Sequence, residues 1–183
     1  MSALPSLMTA DEFLVWCLDQ EGKWELVDGE PLLVEMMTGA AKRHDRVVVN
    51  TIIALGNRLR GSPCFPHTAD IAARMPNGAV RRPDVTVDCE RGDDSAMEST
   101  APVVFFEVLS PSTRLLDQVR KPDEYKRVPT LRHIVLLDPD RPSARLLSRD
   151  ADGGWSVEDV EGPDGELNLS ALDLILPLSE LYV

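Results

Sequence analysis

A glutamate set inside the most apolar stretch of this chain limits its folding more than any other residue. Residues 102–110 read PVVFFEVLS, and Glu107 separates Val103-Val104-Phe105-Phe106 from Val108-Leu109. Apolar side chains at consecutive positions, rather than alternate ones, mark a strand covered on both faces. Such a strand needs layers above and below its sheet. A carboxylate buried there without a partner costs several kcal/mol, so Glu107 must meet a metal, a cation or a shared proton.

The surrounding punctuation sketches those layers. Thr9-Ala10-Asp11-Glu12 is a capping box and predicts a short helix through Phe13, Leu14, Trp16 and Leu18. Trp24 to Met36 reads as a hairpin, because Asp28-Gly29 supplies the positive φ of a tight turn. Val48, Ile52, Leu55 and Leu59 form a helical stripe in a segment beginning near Ala40 and ending by Gly61. Extended segments follow at 64–75, 79–88 and 102–110, with Asp93 and Asp94 in a polar loop. A helix is expected over Arg114 to Arg127, interrupted by Pro122. Strands are expected at 133–139, 143–148 and 155–160, then an apolar segment at 167–183 with a short helix after Pro177. This order predicts a single α/β domain over 1–183, a mixed central sheet flanked by helices.

Charge and cysteine content bound the surroundings. The net charge of -12 argues against a polyanion partner, yet it is unevenly spread. Residues 41–82 carry eight basic side chains against Asp45 and Asp70, whereas residues 134–183 carry eleven acidic against three basic. One face kept for a polyanion would explain this, as would solvated helix faces. Arg58, Arg81 and Arg82 are the candidate nucleic-acid contacts. No apolar run approaches the roughly 20 residues that span a bilayer, and MSALPSLMTADEF lacks the basic start of a signal peptide. Cys17, Cys64 and Cys89 fit neither a zinc spacing nor a disulfide framework, which predicts buried, reduced thiols in a cytoplasmic protein.

Asp84 in RRPDVTVD is the second candidate carboxylate. Pro83 cannot donate to a ladder, which favours a strand start or an edge there. Carboxylates from neighbouring strands would make a hard oxygen site suited to Mg²⁺ or Mn²⁺ rather than zinc. Pro83-Asp84 followed by Glu107-Val108-Leu109 resembles the PD-(D/E)xK nuclease signature with leucine where its lysine belongs. Lys121 stands in the following helical segment, in register with Asp117 and Tyr125. The ordered set ELVDGE, His44, RRPD, EVLSPST, Asp117, Lys121, Tyr125 and LLDP is similar to the Uma-two-type restriction-endonuclease family over roughly residues 9 to 181.

That resemblance implies a restriction-endonuclease-like fold and a Mg²⁺- or Mn²⁺-dependent endonuclease acting on nucleic acid, foremost DNA, as a homodimer. It implies that Asp84 and Glu107 ligate the metal, with the Val108 carbonyl as a third oxygen and Glu25 completing the shell. Lys121 would activate or orient the attacking water, and His44 would touch phosphate or a carboxylate. The residues also admit blander roles. Asp84 can cap or turn into its strand, Glu107 can pair with Arg120 or Lys121, and Asp138-Pro139 reads as a turn. Ser110-Pro111-Ser112 lacks the Gly-x-Ser-x-Gly setting of a nucleophilic serine. Leu109 and Lys121-Pro122 favour a catalytically idle fold that binds nucleic acid or a protein. The acidity favours a small-nucleotide phosphoesterase.

Overall fold

A computed structural model of the chain describes residues 7–35, 41–90, 92–109 and 120–183. Ala40, Asp117, Ser110-Pro111-Ser112 and the helix expected over 114–119 lie outside the described residues. The expected capping box opens α1 (Ala10–Cys17): Glu12 N–H donates to Thr9 Oγ1 at 3.3 Å and Thr9 N–H to Glu12 Oε2 at 2.8 Å. β1 (Lys23–Val27) and β2 (Glu30–Glu35) pair antiparallel through a turn with φ of 52° at Asp28 and 81° at Gly29. Then come α2 (Lys42–Arg58), β3 (Phe65–Thr68), β4 (Ala73–Arg74), β5 (Val80–Arg81), β6 (Val85–Asp88) and β7 (Pro102–Val108). α3 (Lys121–Tyr125) precedes β8 (His133–Leu137), β9 (Ser143–Arg149), β10 (Trp155–Glu161), β11 (Glu166–Leu169) and β12 (Leu174–Pro177).

Six strands form a mixed sheet in the order β10-β9-β8-β7-β6-β3. β7 and β8 run parallel, so the chain must cross over between them, and α3 lies in that crossover. A smaller sheet, β2-β1-β5-β4, supplies a second layer, and β11-β12 a hairpin. β7 is covered on both faces, as its consecutive apolar residues require. Val104, Phe106 and Val108 face Val47, Ala54 and Leu55 of α2 and Leu167 and Leu176 of the hairpin. Phe105 faces Tyr125, Val128 and Leu131 on the other side. The buried stripe of α2 is centred on Val47, Thr51, Ala54 and Leu55, leaving Val48 and Ile52 half-buried at its margin.

The cysteine reading is corrected. Cys64 and Cys89 form a disulfide, and Cys17 alone is free. Phe65 pairs with Asp88 in the antiparallel β3–β6 ladder, and one further step in that register sets Cys64 opposite Cys89. The 25-residue separation concealed this because register, not sequence distance, brought the thiols together. Among the described residues no helix is long and apolar enough to cross a membrane.

Candidate active site

Two groups of charged residues meet where β7 leaves the centre of the large sheet. The first is built across the small sheet. Leu26 pairs with Val80, so Glu25 of β1 stands beside Arg81 of β5. Arg81 is buried and donates from one terminal nitrogen to Glu25 Oε2 at 2.9 Å. Its Nε and other terminal nitrogen grip both oxygens of Glu124 at 2.8 Å, a forked pairing suited to a planar guanidinium. Glu124 belongs to α3, so Arg81 ties that short helix to the small sheet.

Lys121 begins the same helix. Its ammonium lies 3.2 Å from Glu107 Oε1 and 3.6 Å from Glu25 Oε1. The Tyr125 hydroxyl, one helical turn on, donates to Glu107 Oε1 at 2.5 Å. Pro122, next to Lys121, sits in the first turn of α3, where its missing N–H leaves no internal bond unmade. Glu107 therefore has the partners its burial demanded.

Asp84 anchors the second group. Val85 pairs with Phe106 across β6 and β7, so Asp84 stands beside Glu107 in the continued register. Asp84 Oδ2 accepts the Val108 N–H at 2.8 Å and lies 3.4 Å from His44 Nε2, while Oδ1 lies 3.8 Å from Lys23 Nζ. β1 has a register shift between Lys23 and Trp24, the kind of irregularity that re-aims a side chain.

The electrostatics follow from these contacts. Burial pushes the Asp84 carboxyl up, but His44, Lys23 and the Val108 amide outweigh it and hold it below the usual carboxylate range. Burial also pushes Glu25 up, and Lys121 and Arg81 reverse that shift, leaving it lowered. Burial raises the Tyr125 phenol well above its ordinary value, and neighbouring Glu107 raises it further. Burial lowers the Arg81 guanidinium, but Glu124 and Glu25 raise it on balance, keeping it charged.

Glu25 thus has both oxygens on protein groups: Arg81 on one, and the Arg82 N–H at 3.1 Å with Lys121 on the other. Glu25, the residue expected to complete a metal shell, meets cations at both oxygens. At Val108 the amide engages Asp84. Among the described residues no three His, Cys, Asp or Glu side chains are grouped to hold a metal. A carboxylate pair nevertheless suits Mg²⁺, which keeps several waters and commonly takes only one or two protein carboxylates. Asp84 and Glu107 fit that donor set.

The three arginines expected at a nucleic-acid surface all have partners within the protein. Arg81 is buried between two carboxylates. Arg58 is held in a two-pronged pair with Glu180. Arg82 donates to the carbonyls of Trp24 at 3.0 Å, Ala69 at 3.3 Å and Asp70 at 2.6 Å. Sequence reasoning missed Lys23, Glu124 and Arg81 as a structural link. Lys23 had one signal, being the sole basic residue of positions 1–40.

A mixed sheet with Asp84 just before one strand, Glu107 on the neighbouring strand and a lysine from the following helix describes a restriction-endonuclease-like fold. A crystal structure described as a "putative nuclease belonging to DUF820" from Anabaena variabilis superposes with a TM-score of 0.73 at 17% identity, covering 96% of this chain and 97% of that one. The chain belongs to the Uma2 family, described as "Putative restriction endonuclease", which matches residues 10–179. Two uncharacterized proteins of Synechocystis are 28% and 24% identical to it, over 96% and 94% of this chain and 91% and 98% of theirs.

Proposed function

We propose that this protein is a divalent-metal-dependent nuclease that hydrolyses phosphodiester bonds in DNA, with one domain, residues 1–183, carrying the activity. The observation that supports this reading is the Lys121 ammonium 3.2 Å from Glu107, on the strand paired with the one that Asp84 precedes. Asp84 and Glu107 would hold the Mg²⁺ or Mn²⁺ ion, which would supply Lewis-acid chemistry and neutralise charge on the phosphate.

The chain's own groups do the rest. Lys121 orients the attacking water and donates to the phosphate oxygen on which charge accumulates. Glu25 and Arg81 act as positioning residues: Glu25 draws the ammonium into place, and Arg81 fastens α3, which carries it. Tyr125 fixes the rotamer of Glu107. His44 and Lys23 hold Asp84. Leu109 then needs no lysine's role, because Lys121 reaches the same carboxylate from the helix.

Supercoiled, linear and single-stranded DNA, incubated with Mg²⁺ or Mn²⁺ and with EDTA, test this. Metal-dependent cleavage is expected, and Lys121→Ala should slow it about 10²- to 10³-fold, the loss typical of one charge-stabilising donor. No cleavage by the wild type, or equal cleavage by the variant, defeats the reading.

The pairing of Arg58 and Arg81 with carboxylates of the same chain favours a second reading, a phosphoesterase for small nucleotides. Salt dependence separates the two, since binding to a polymer weakens steeply with salt and binding to a mononucleotide does not.

A further inference from the structure

Asp84 lies in the wall of a cleft of about 650 Å³ that is lined by both cationic and apolar side chains. Lys23 and Arg82 line it from outside α2. α2 presents His44, Val48, Val49 and Ile52 to it, with Val48 and Ile52 half-buried at the margin of the core. Val49 is 44% exposed.

Arg82 is unusual among the arginines of the site. Arg58 and Arg81 are neutralised by carboxylates, whereas Arg82 is held by three carbonyl oxygens and, among the described residues, pairs with no carboxylate. Carbonyls fix a guanidinium in place without cancelling its charge. Asp45 and Asp70 also line the cleft, so its charge is mixed, with Lys23 and His44 both within 4 Å of Asp84.

We propose that this cleft receives one nucleotide of an unpaired strand, its phosphate between Lys23 and Arg82 and its base against Val48, Val49 and Ile52. The proposal rests on the nuclease reading and deepens it by naming the substrate class. A volume of this size lies within the range of small-ligand pockets and suits one nucleotide. Bases in a duplex keep their faces stacked on one another, so an apolar wall can contact only a base that has left the stack. Duplex recognition would draw instead on a broad basic surface, which the net charge of -12 and the paired Arg58 and Arg81 do not supply.

The test is fluorescence anisotropy with a labelled 12-nucleotide single strand and with the same sequence as a blunt duplex, in EDTA so that nothing is cleaved. Wild type, Val49→Glu and Lys23→Gln are compared after thermal unfolding has checked that each folds. The single strand should bind about tenfold tighter than the duplex. Val49→Glu should weaken single-strand binding about tenfold, the loss of one base contact, and Lys23→Gln should lower the salt slope by about one ion. Duplex binding as tight as single-strand binding, or no change in Val49→Glu, overturns the proposal. Cleavage measured alongside keeps the two readings apart. Lys121-dependent cutting of duplex with no preference for single strands sinks the cleft proposal and leaves the nuclease. Tight, Val49-dependent single-strand binding without any cleavage sinks the nuclease and leaves the cleft.

Discussion

Replacing Arg81 by methionine removes the one guanidinium that serves Glu25 and Glu124 together. Breaking a buried ion pair by deleting one partner costs about 3–5 kcal/mol, because the other charge stays behind in the interior. Here both stranded carboxylates keep something. Glu25 retains the Arg82 N–H at 3.1 Å and the Lys121 ammonium at 3.6 Å. Glu124 retains Arg120 at 3.5 Å. The loss should therefore fall near about 3 kcal/mol, which for a chain of this size lowers Tm by about 6–12 °C. Urea unfolding, followed through the fluorescence of Trp16, Trp24 and Trp155, measures it.

A pH series sharpens the test. In the wild type the Glu25 carboxyl is lowered, so its contribution is present above the unfolded carboxyl range and lost as pH falls through the folded value. Without Arg81 much of that lowering disappears. The gap between wild type and variant should be widest near neutrality and narrow as the medium is acidified below about pH 4.5, where the unfolded glutamate takes up its proton. A loss below about 1 kcal/mol, or a gap that does not change with pH, refutes the buried-pair account.

Three further outcomes are expected. Glu107→Gln should abolish the rise in unfolding midpoint that Mg²⁺ or Mn²⁺ gives the wild type relative to EDTA; an equal rise in both proteins would remove Glu107 from the metal site. Tyr125→Phe deletes a hydrogen bond to a buried carboxylate and should cost about 1.5–3 kcal/mol in urea unfolding, with a smaller loss pointing to a relaxed Glu107. Burial lowers the His133 imidazole to about 4, so its protonation favours the unfolded chain and stability should fall as pH drops from about 6.5 towards 4. His133→Gln should flatten that part of the pH–stability curve, and an unchanged slope would show that another group titrates there.

Thr9 with Glu12 and Asp28 with Gly29 could be read from the sequence because each works within four consecutive residues. The stripe of α2 was legible for the same reason, to within one residue of its centre. Glu107 was legible because its apolar neighbours showed that it would be buried, and burial requires a partner whatever the fold. Which partner it found was decided by tertiary structure. The pairs Arg81–Glu25, Arg81–Glu124, Lys23–Asp84 and Cys64–Cys89 join distant parts of the chain, and none has a local signature. Each exists because a register aligned two strands or because a helix was docked at one position. The same register turned Arg81 from an expected nucleic-acid contact into a buried clamp, and Lys121 came within reach of Glu25 only when α3 was docked. Local patterns reveal what each residue requires of its surroundings; only the packed sheets decide which residue meets the requirement, because strand pairing brings together side chains that sequence distance does not relate.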